Sequence, residues 1–272
     1  MLLLVACTTA DPSTADAPSS FADCDPTVAD DVPDFYKTYF ACTDVSMEGD
    51  GVVLATESLP PYDTYYYGEG HDNYADWDDR GGDYYANPNV IAALAVRIVI
   101  PADPESRGLT IDAELVDHEM ATSDDEYPAG VAGVAPDSVA NFNATAGPGD
   151  SIFDEQYTFD EWGAHPTQFG EYHHHGENEG ALAALAYLGR DETLYGIMCD
   201  GTVILGCDEL DGSSVDEATL DAQDGHVGDI ADADGTVHFS ARYHAHACAD
   251  YGNFGLFPEI QYYELCDSAP TL

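Results

Sequence analysis

The chain has 272 residues, 44% of them hydrophobic, enough for one large domain or two small ones and too many for a disordered polymer. Its 53 acidic residues stand against 6 basic ones, a formal charge of -47. With Lys37 the only lysine, almost nothing can neutralise phosphates, and nucleic acid is excluded as a partner. The acidity fits a solvated surface in a saline medium, where counterions screen self-repulsion, and it also fits a surface that gathers divalent cations.

In chain order, residues 1–7 (MLLLVAC) form an apolar run far too short to span a bilayer. The run resembles the tail of a bacterial lipoprotein signal, with Cys7 as the residue acylated after cleavage and the true start further upstream. Residues 8–23 are rich in Ser, Thr, Pro, Ala and Asp without apolar periodicity, as a flexible tether would be. Folding is expected from about Cys24, as one domain over 24–272.

Three β-prone runs follow, GVVLAT (51–56), VIAALAVRIVIP (90–101) and LTIDAEL (109–115), separated by Gly, Pro, Asn and Asp clusters. The tyrosine-rich segment 60–79 has no regular period, and its rings are expected to cover the β core rather than bind carbohydrate. A helix is expected over 179–189, where EGALAALAYLG has helical spacing and Gly189 stands as a stop. A further turn is expected within 214–225, where Ser214 and Glu217 have capping-box spacing. Two acidic stretches, SMEGDGVVLATE (46–57) and DIADADGT (229–236), are incomplete as EF-hand loops and read as hairpin turns, with calcium the alternative occupant. The fold class expected is mainly β with long loops and one or two short helices, at the margin of α+β.

Setting Cys7 aside as a lipid anchor leaves Cys24, Cys42, Cys199, Cys207, Cys248 and Cys266, an even number suited to disulfides in an oxidising compartment. Closeness in sequence favours 24 with 42, 199 with 207, and 248 with 266. No C-x-x-C is present, which argues against a zinc ribbon or a thioredoxin-type site.

The histidines are the most patterned feature. FDEWGAHPTQFGEYHHH (159–175) and LDAQDGHVGDIADADGTVHFSARYHAH (220–246) each carry an aspartate, a histidine five residues later, and a closing Tyr-His-x-His. The matched residues are Asp160 and Asp221, His165 and His226, Tyr172 and Tyr243, His173 and His244, and His175 and His246; Gly163 and Gly225 lie just before the lone histidines. On strands, His173 and His175 share one face, as do His244 and His246. A pair of imidazoles plus the lone histidine makes a set of three metal ligands with an open position, in two separate sets or one shared centre. The alternative is a polar sheet face whose histidines only satisfy hydrogen bonds. His174 should point away from its neighbours, and His71, His118 and His238 lie outside the pattern.

These two segments resemble the YHYH domain family, with Tyr172, His173 and His175, and Tyr243, His244 and His246, on the motif positions. IMCDGTVILG (197–206) is similar to the family's LDGFPIYG-type segment and TLDAQDGH to its LDECNGH; NPNVIAALAVRIVIPADP (87–104) and GVAPDSVANFN (133–143) also resemble it. The likeness runs over roughly residues 50–257. Trp162 and Gln223 stand where the family tends to have cysteine, and His174 and Ala245 where it has the second tyrosine. The resemblance implies an extracytoplasmic setting and supplies no reaction.

Three functions stay open. The first is a cell-envelope lipoprotein, membrane-anchored or released, holding Zn or Cu on His165, His173, His175, His226, His244 and His246, with Asp160, Asp221, Tyr172 and Tyr243 behind the ligands. The second is a metal-dependent hydrolase in which Asp160 or Asp221 serves as base. The third is a structural module without metal. G-x-S-x-G, a P-loop and H-E-x-x-H are all absent.

Overall fold

The computed structural model describes residues 21, 24, 26–78, 80–113, 115, 130–144, 146–147, 151–251, 255–257 and 261–264. Among these the chain is mainly β, with eleven strands in two sheets and three short α-helices. The expectations placed on 1–7, including Cys7, and those on His118 and Cys266, lie outside the described residues.

The smaller sheet is an antiparallel meander of β1 (Asp44–Glu48), β2 (Gly51–Thr56) and β3 (Val96–Pro101). Alternation in β3 buries Val96, Ile98 and Ile100 and leaves Arg97 outside, paired with Glu48. Only the second half of the run 90–101 is therefore strand, as wide as β2 is long. The described part of 109–115 forms no strand. Ile111 is instead a buried plug against Tyr243 and Tyr263.

The larger sheet has eight strands: β4 (Val131–Val134), β5 (Ala140–Phe142), β6 (Ala164–Pro166), β7 (Tyr172–His174), β8 (Leu194–Met198), β9 (Val203–Leu205), β10 (Gly225–Ala231) and β11 (Val237–His246). Its order is β10-β11-β9-β8-β4-β5-β7-β6, which reads the same in topology from either end. In the first half β4 and β5 are a hairpin, β7 lies parallel to β5, and β6 closes antiparallel on β7. The second half repeats this with β8, β9, β11 and β10, and the halves join through antiparallel β4 and β8. The repeat thus spans four strands, and a pseudo-two-fold axis passes between β4 and β8.

Turn chemistry repeats with the strands. Asp137 and Asp200 each accept a backbone N–H two residues on, from Val139 and Thr202, across a residue with positive φ, Ser138 or Gly201. The four central strands are buried on both faces, which matches their mostly apolar sequences; in β5 the buried Asn141 donates to the Tyr195 carbonyl. One face packs against Val52, Leu54, Ile98 and Ile100 of the small sheet. The other receives α3 (Glu179–Tyr187), through Ala181 and Ala184.

The α3 helix starts where expected, with Asn178 accepting from Ala181 N–H, and stops at Gly189, whose φ of 76° allows Arg190 to donate to Leu185. The turn expected at 214–225 is a short 3-10 helix over Glu217–Thr219 capped by Asp216, because Ser214 is held in a bridge to Asp208. Two helices had no sequence expectation, α1 (Asp34–Tyr39) and α2 (Ile152–Glu155). Both acidic stretches are hairpin turns: β1 reverses into β2, and Asp232 accepts from Asp234 and Thr236 at the tip of the β10–β11 hairpin.

Order begins before Cys24, since Phe21 is fully buried between Tyr62 and Tyr187. Tyr62 and Tyr66 are core residues, as expected of the tyrosine-rich segment. Cys24 pairs with Cys42, but Cys207 pairs with Cys248 across 41 residues. That corrects both 199 with 207 and 248 with 266; Cys199 is disulfide-bonded elsewhere. Parallel pairing of β9 with β11 sets their C-terminal ends side by side, which outweighs closeness along the chain.

Candidate metal centres

Both lone histidines are strand residues directly opposite the first histidine of the pair: His165 faces His173 in the β6–β7 register, and His226 faces His244 in β10–β11. The second histidine of each pair lies two residues further on the same side. His165, His173 and His175 form one group; His226, His244 and His246 with Glu209 form another. The groups sit at opposite ends of the sheet, with β7 and β11 five strand spacings apart, roughly 24 Å along the sheet. Two separate sets are present, and no shared centre.

In the first group the Nε2 atoms of His165 and His173 lie 3.2 Å apart and those of His173 and His175 2.8 Å apart. The outer nitrogens decide which tautomer is present. Nδ1 of His173 is 2.7 Å from the Glu171 carbonyl, and Nδ1 of His175 is 2.7 Å from the Asn143 carbonyl. A carbonyl can only accept, so each Nδ1 carries the proton and each Nε2 presents a bare lone pair. His165 reaches the same state by relay. Thr158 Oγ donates to the Glu155 carbonyl, so it accepts from His165 Nδ1–H at 2.5 Å.

Three lone pairs aimed at one point repel one another unless a cation lies between them. Tetrahedral zinc with Zn–N of about 2.05 Å would set its nitrogens about 3.3 Å apart, close to the spacings observed. Burial disfavours the imidazolium throughout. His165 and His173 are held well below the usual histidine value by burial and by neighbouring His175, and His175 is pushed down to about 4 chiefly by burial. Phe142 stacks on His173 with centroids 3.8 Å apart, and Phe159 lies edge-on to His165 and flat beside His175. Glu155 Oε2 stands 3.9 Å from His175 Nε2, the nearest carboxylate.

The second group repeats this geometry with one addition. Nδ1 of His246 is 2.7 Å from the Gly206 carbonyl, in register with Asn143, and Nδ1 of His244 is 3.1 Å from the Arg242 carbonyl. The Nε2 atoms of His226 and His246 are 3.3 Å apart. Glu209 reaches in with both oxygens, 3.0 Å from His226 Nε2 and 3.0 Å from His244 Nε2. Burial alone would raise its carboxyl, but the hydrogen bond to His244 and the charges of His244, His246 and His226 hold it below the ordinary value. His246 is pushed down to about 4, mainly by burial, and His226 is lowered for the same reason.

Asp160 and Asp221 do not bond a histidine ring among the described contacts. Each accepts backbone N–H groups from the residues two and four places on, closing the turn that aims the lone histidine, and each accepts a tyrosine hydroxyl. Tyr172 donates to Asp160 at 2.7 Å and Tyr243 to Asp221 at 2.9 Å. The four residues act as braces of the hairpins, placing the ligands through the backbone. This alignment matches Gly163 with Asp224, both at positive φ, so Gly163 and Gly225 are not equivalent. At Gly163 a Cβ would come within 2.8 Å of the Glu177 carbonyl oxygen.

His174 points away from the first group, to the buried Asp137 at 2.9 Å, where Tyr62 also donates. His71 stacks on Tyr67, and His238 lies against Asp232 among Phe35 and Tyr39. A third grouping, Glu177 with Cys207 and Cys248, has its two sulfurs joined to each other and offers no thiolate. Sequence reasoning missed Glu155, Glu209 and Thr158. The carboxylates enter from the connections before Asp160 and Asp221 at unequal spacing, which a search for repeated spacing does not register. Compared with protein-family models, curated proteins and solved structures, the chain finds no match.

Proposed function

We propose that the protein is an extracytoplasmic transition-metal-binding protein of the YHYH type, holding Zn(II) or a copper ion in each of two His-rich centres. The observation that carries this reading is the pair of triads whose Nε2 atoms converge, with Nδ1 of His165, His173, His175, His244 and His246 anchored outward, repeated through a four-stranded duplication. Hydrogen-bonded core histidines do not need bare nitrogens 2.8–3.2 Å apart, as in the first centre, and they do not need a converging triad twice. Imidazole with carboxylate suits both metals. The disulfides, Cys24 with Cys42 and Cys207 with Cys248 among them, fit an oxidising compartment, and no helix among the described residues is long and apolar enough to cross a membrane. Attachment to the envelope through acylated Cys7 belongs to the same proposal, and mass spectrometry of the cellular protein tests it.

The test of the metal reading is metal analysis of full-length protein purified without an affinity tag, with thermal unfolding at pH 7.5 in added Zn(II) or Cu(II). Two ions per chain are expected, one for each group. His173→Ala with His175→Ala should leave one. Protein that binds no ion and whose unfolding temperature does not respond to either metal would leave the histidines as core hydrogen-bonders.

A further inference from the structure

The two centres are related by the duplication but not alike in access. All three histidines of the first are buried, and the walls are Phe142 and Phe159, themselves nearly covered. In the second, His226 keeps 19% of its side chain exposed and Glu209 keeps 21%. The register explains the difference. Ala140 pairs with His173 as Val203 pairs with His244, so Phe142 corresponds to Leu205; the residue before each bracing aspartate is Phe159 in one half and Leu220 in the other. Leu220 is only half-buried. Two aromatic walls are thus replaced by aliphatic side chains that cannot stack on imidazole, and solvent reaches the second centre.

The carboxylates differ in reach rather than in exposure. Glu209 already touches two of its histidines, so it can enter the coordination sphere by a small shift and can leave it towards water. Glu155, itself partly exposed, stands further off, 3.9 Å from His175 alone. The geometry points to a division of labour: the His165–His173–His175 centre retains its ion, while the His226–His244–His246 centre, with Glu209 as a detachable fourth ligand, exchanges its ion with solution and admits small external ligands. This rests on the metal reading above and assigns each centre its role within it. The surrounding surface, at a formal charge of -47 for the chain, raises the local cation concentration at the open centre.

The experiment uses full-length, disulfide-intact protein loaded with two equivalents of Zn(II), transferred into excess EDTA, with retained zinc measured over time. Two phases of equal amplitude are expected, one ion lost early and one late. His226→Ala should remove the early phase and leave the late one. Glu209→Gln should quicken the early phase alone, and Phe159→Leu should quicken the late phase alone; circular dichroism checks that each variant is folded. Loss of both ions in a single phase, a single-ion stoichiometry, or removal of the late phase by His226→Ala would overturn the division while leaving metal binding intact. Absence of any bound zinc would overturn the metal reading itself.

Discussion

Acidification of the metal-free protein should weaken it through its buried histidines, His165, His173 and His175 among them. The His175 ring is fully enclosed, and its value of about 4 lies far below the ordinary 6.5, with burial the main cause. Between those two values the unfolded chain binds a proton that the folded protein refuses. Stability therefore falls as pH drops below 6.5, and the loss is complete near 4. Linkage at about 1.4 kcal/mol per pH unit, rounded off near the unfolded value, makes the step from pH 7 to pH 5 worth about 2 kcal/mol for this one group. His246 adds in the same direction. Asp160 and Asp221 act oppositely, because burial raises their carboxyls and protonation in acid favours the folded state. A difference measurement isolates His175: urea unfolding in EDTA of the wild type and of His175→Gln, followed by circular dichroism at pH 7 and pH 5. The stability gap between the two proteins should be about 2 kcal/mol larger at pH 7 than at pH 5. A gap that does not change with pH refutes the reasoning, since it would mean the ring titrates alike in both states.

Tyr172→Phe removes a buried donor from Asp160, and should cost about 1.5–3 kcal/mol in denaturant unfolding, the range for a hydrogen bond to a charged group. Tyr243→Phe should cost less, because Asp221 is only half-buried and the tyrosine hydroxyl is shared with Gln223. Replacing Cys207 and Cys248 together by serine opens a loop of 41 residues and should lower unfolding stability by about 4 kcal/mol from chain entropy.

The amino-acid sequence by itself determined the β class, the α3 helix with its Gly189 stop, and the repeated aspartate, histidine and Tyr-His-x-His order. These are local properties. Alternation places His173 and His175 on one side whatever the strand pairs with, and a glycine at a helix end stops it for conformational reasons of its own. What the repeat meant in space could not be read from spacing. Only the antiparallel joining of β4 with β8 sends the two histidine groups to opposite ends of the sheet, where one chain order would have served a shared centre equally well. The same holds for Cys207 with Cys248, brought together by parallel strands 41 residues apart. Glu209, Glu155 and Thr158 reach the centres from connections of different length, so their placement depends on how each loop packs. The tertiary structure also decided the role of Asp160 and Asp221. An acid near a histidine in sequence suggests a partner for its ring, whereas the folded turn spends both carboxylates on backbone N–H groups and a tyrosine, leaving the rings to backbone carbonyls, to Thr158 and to Glu209.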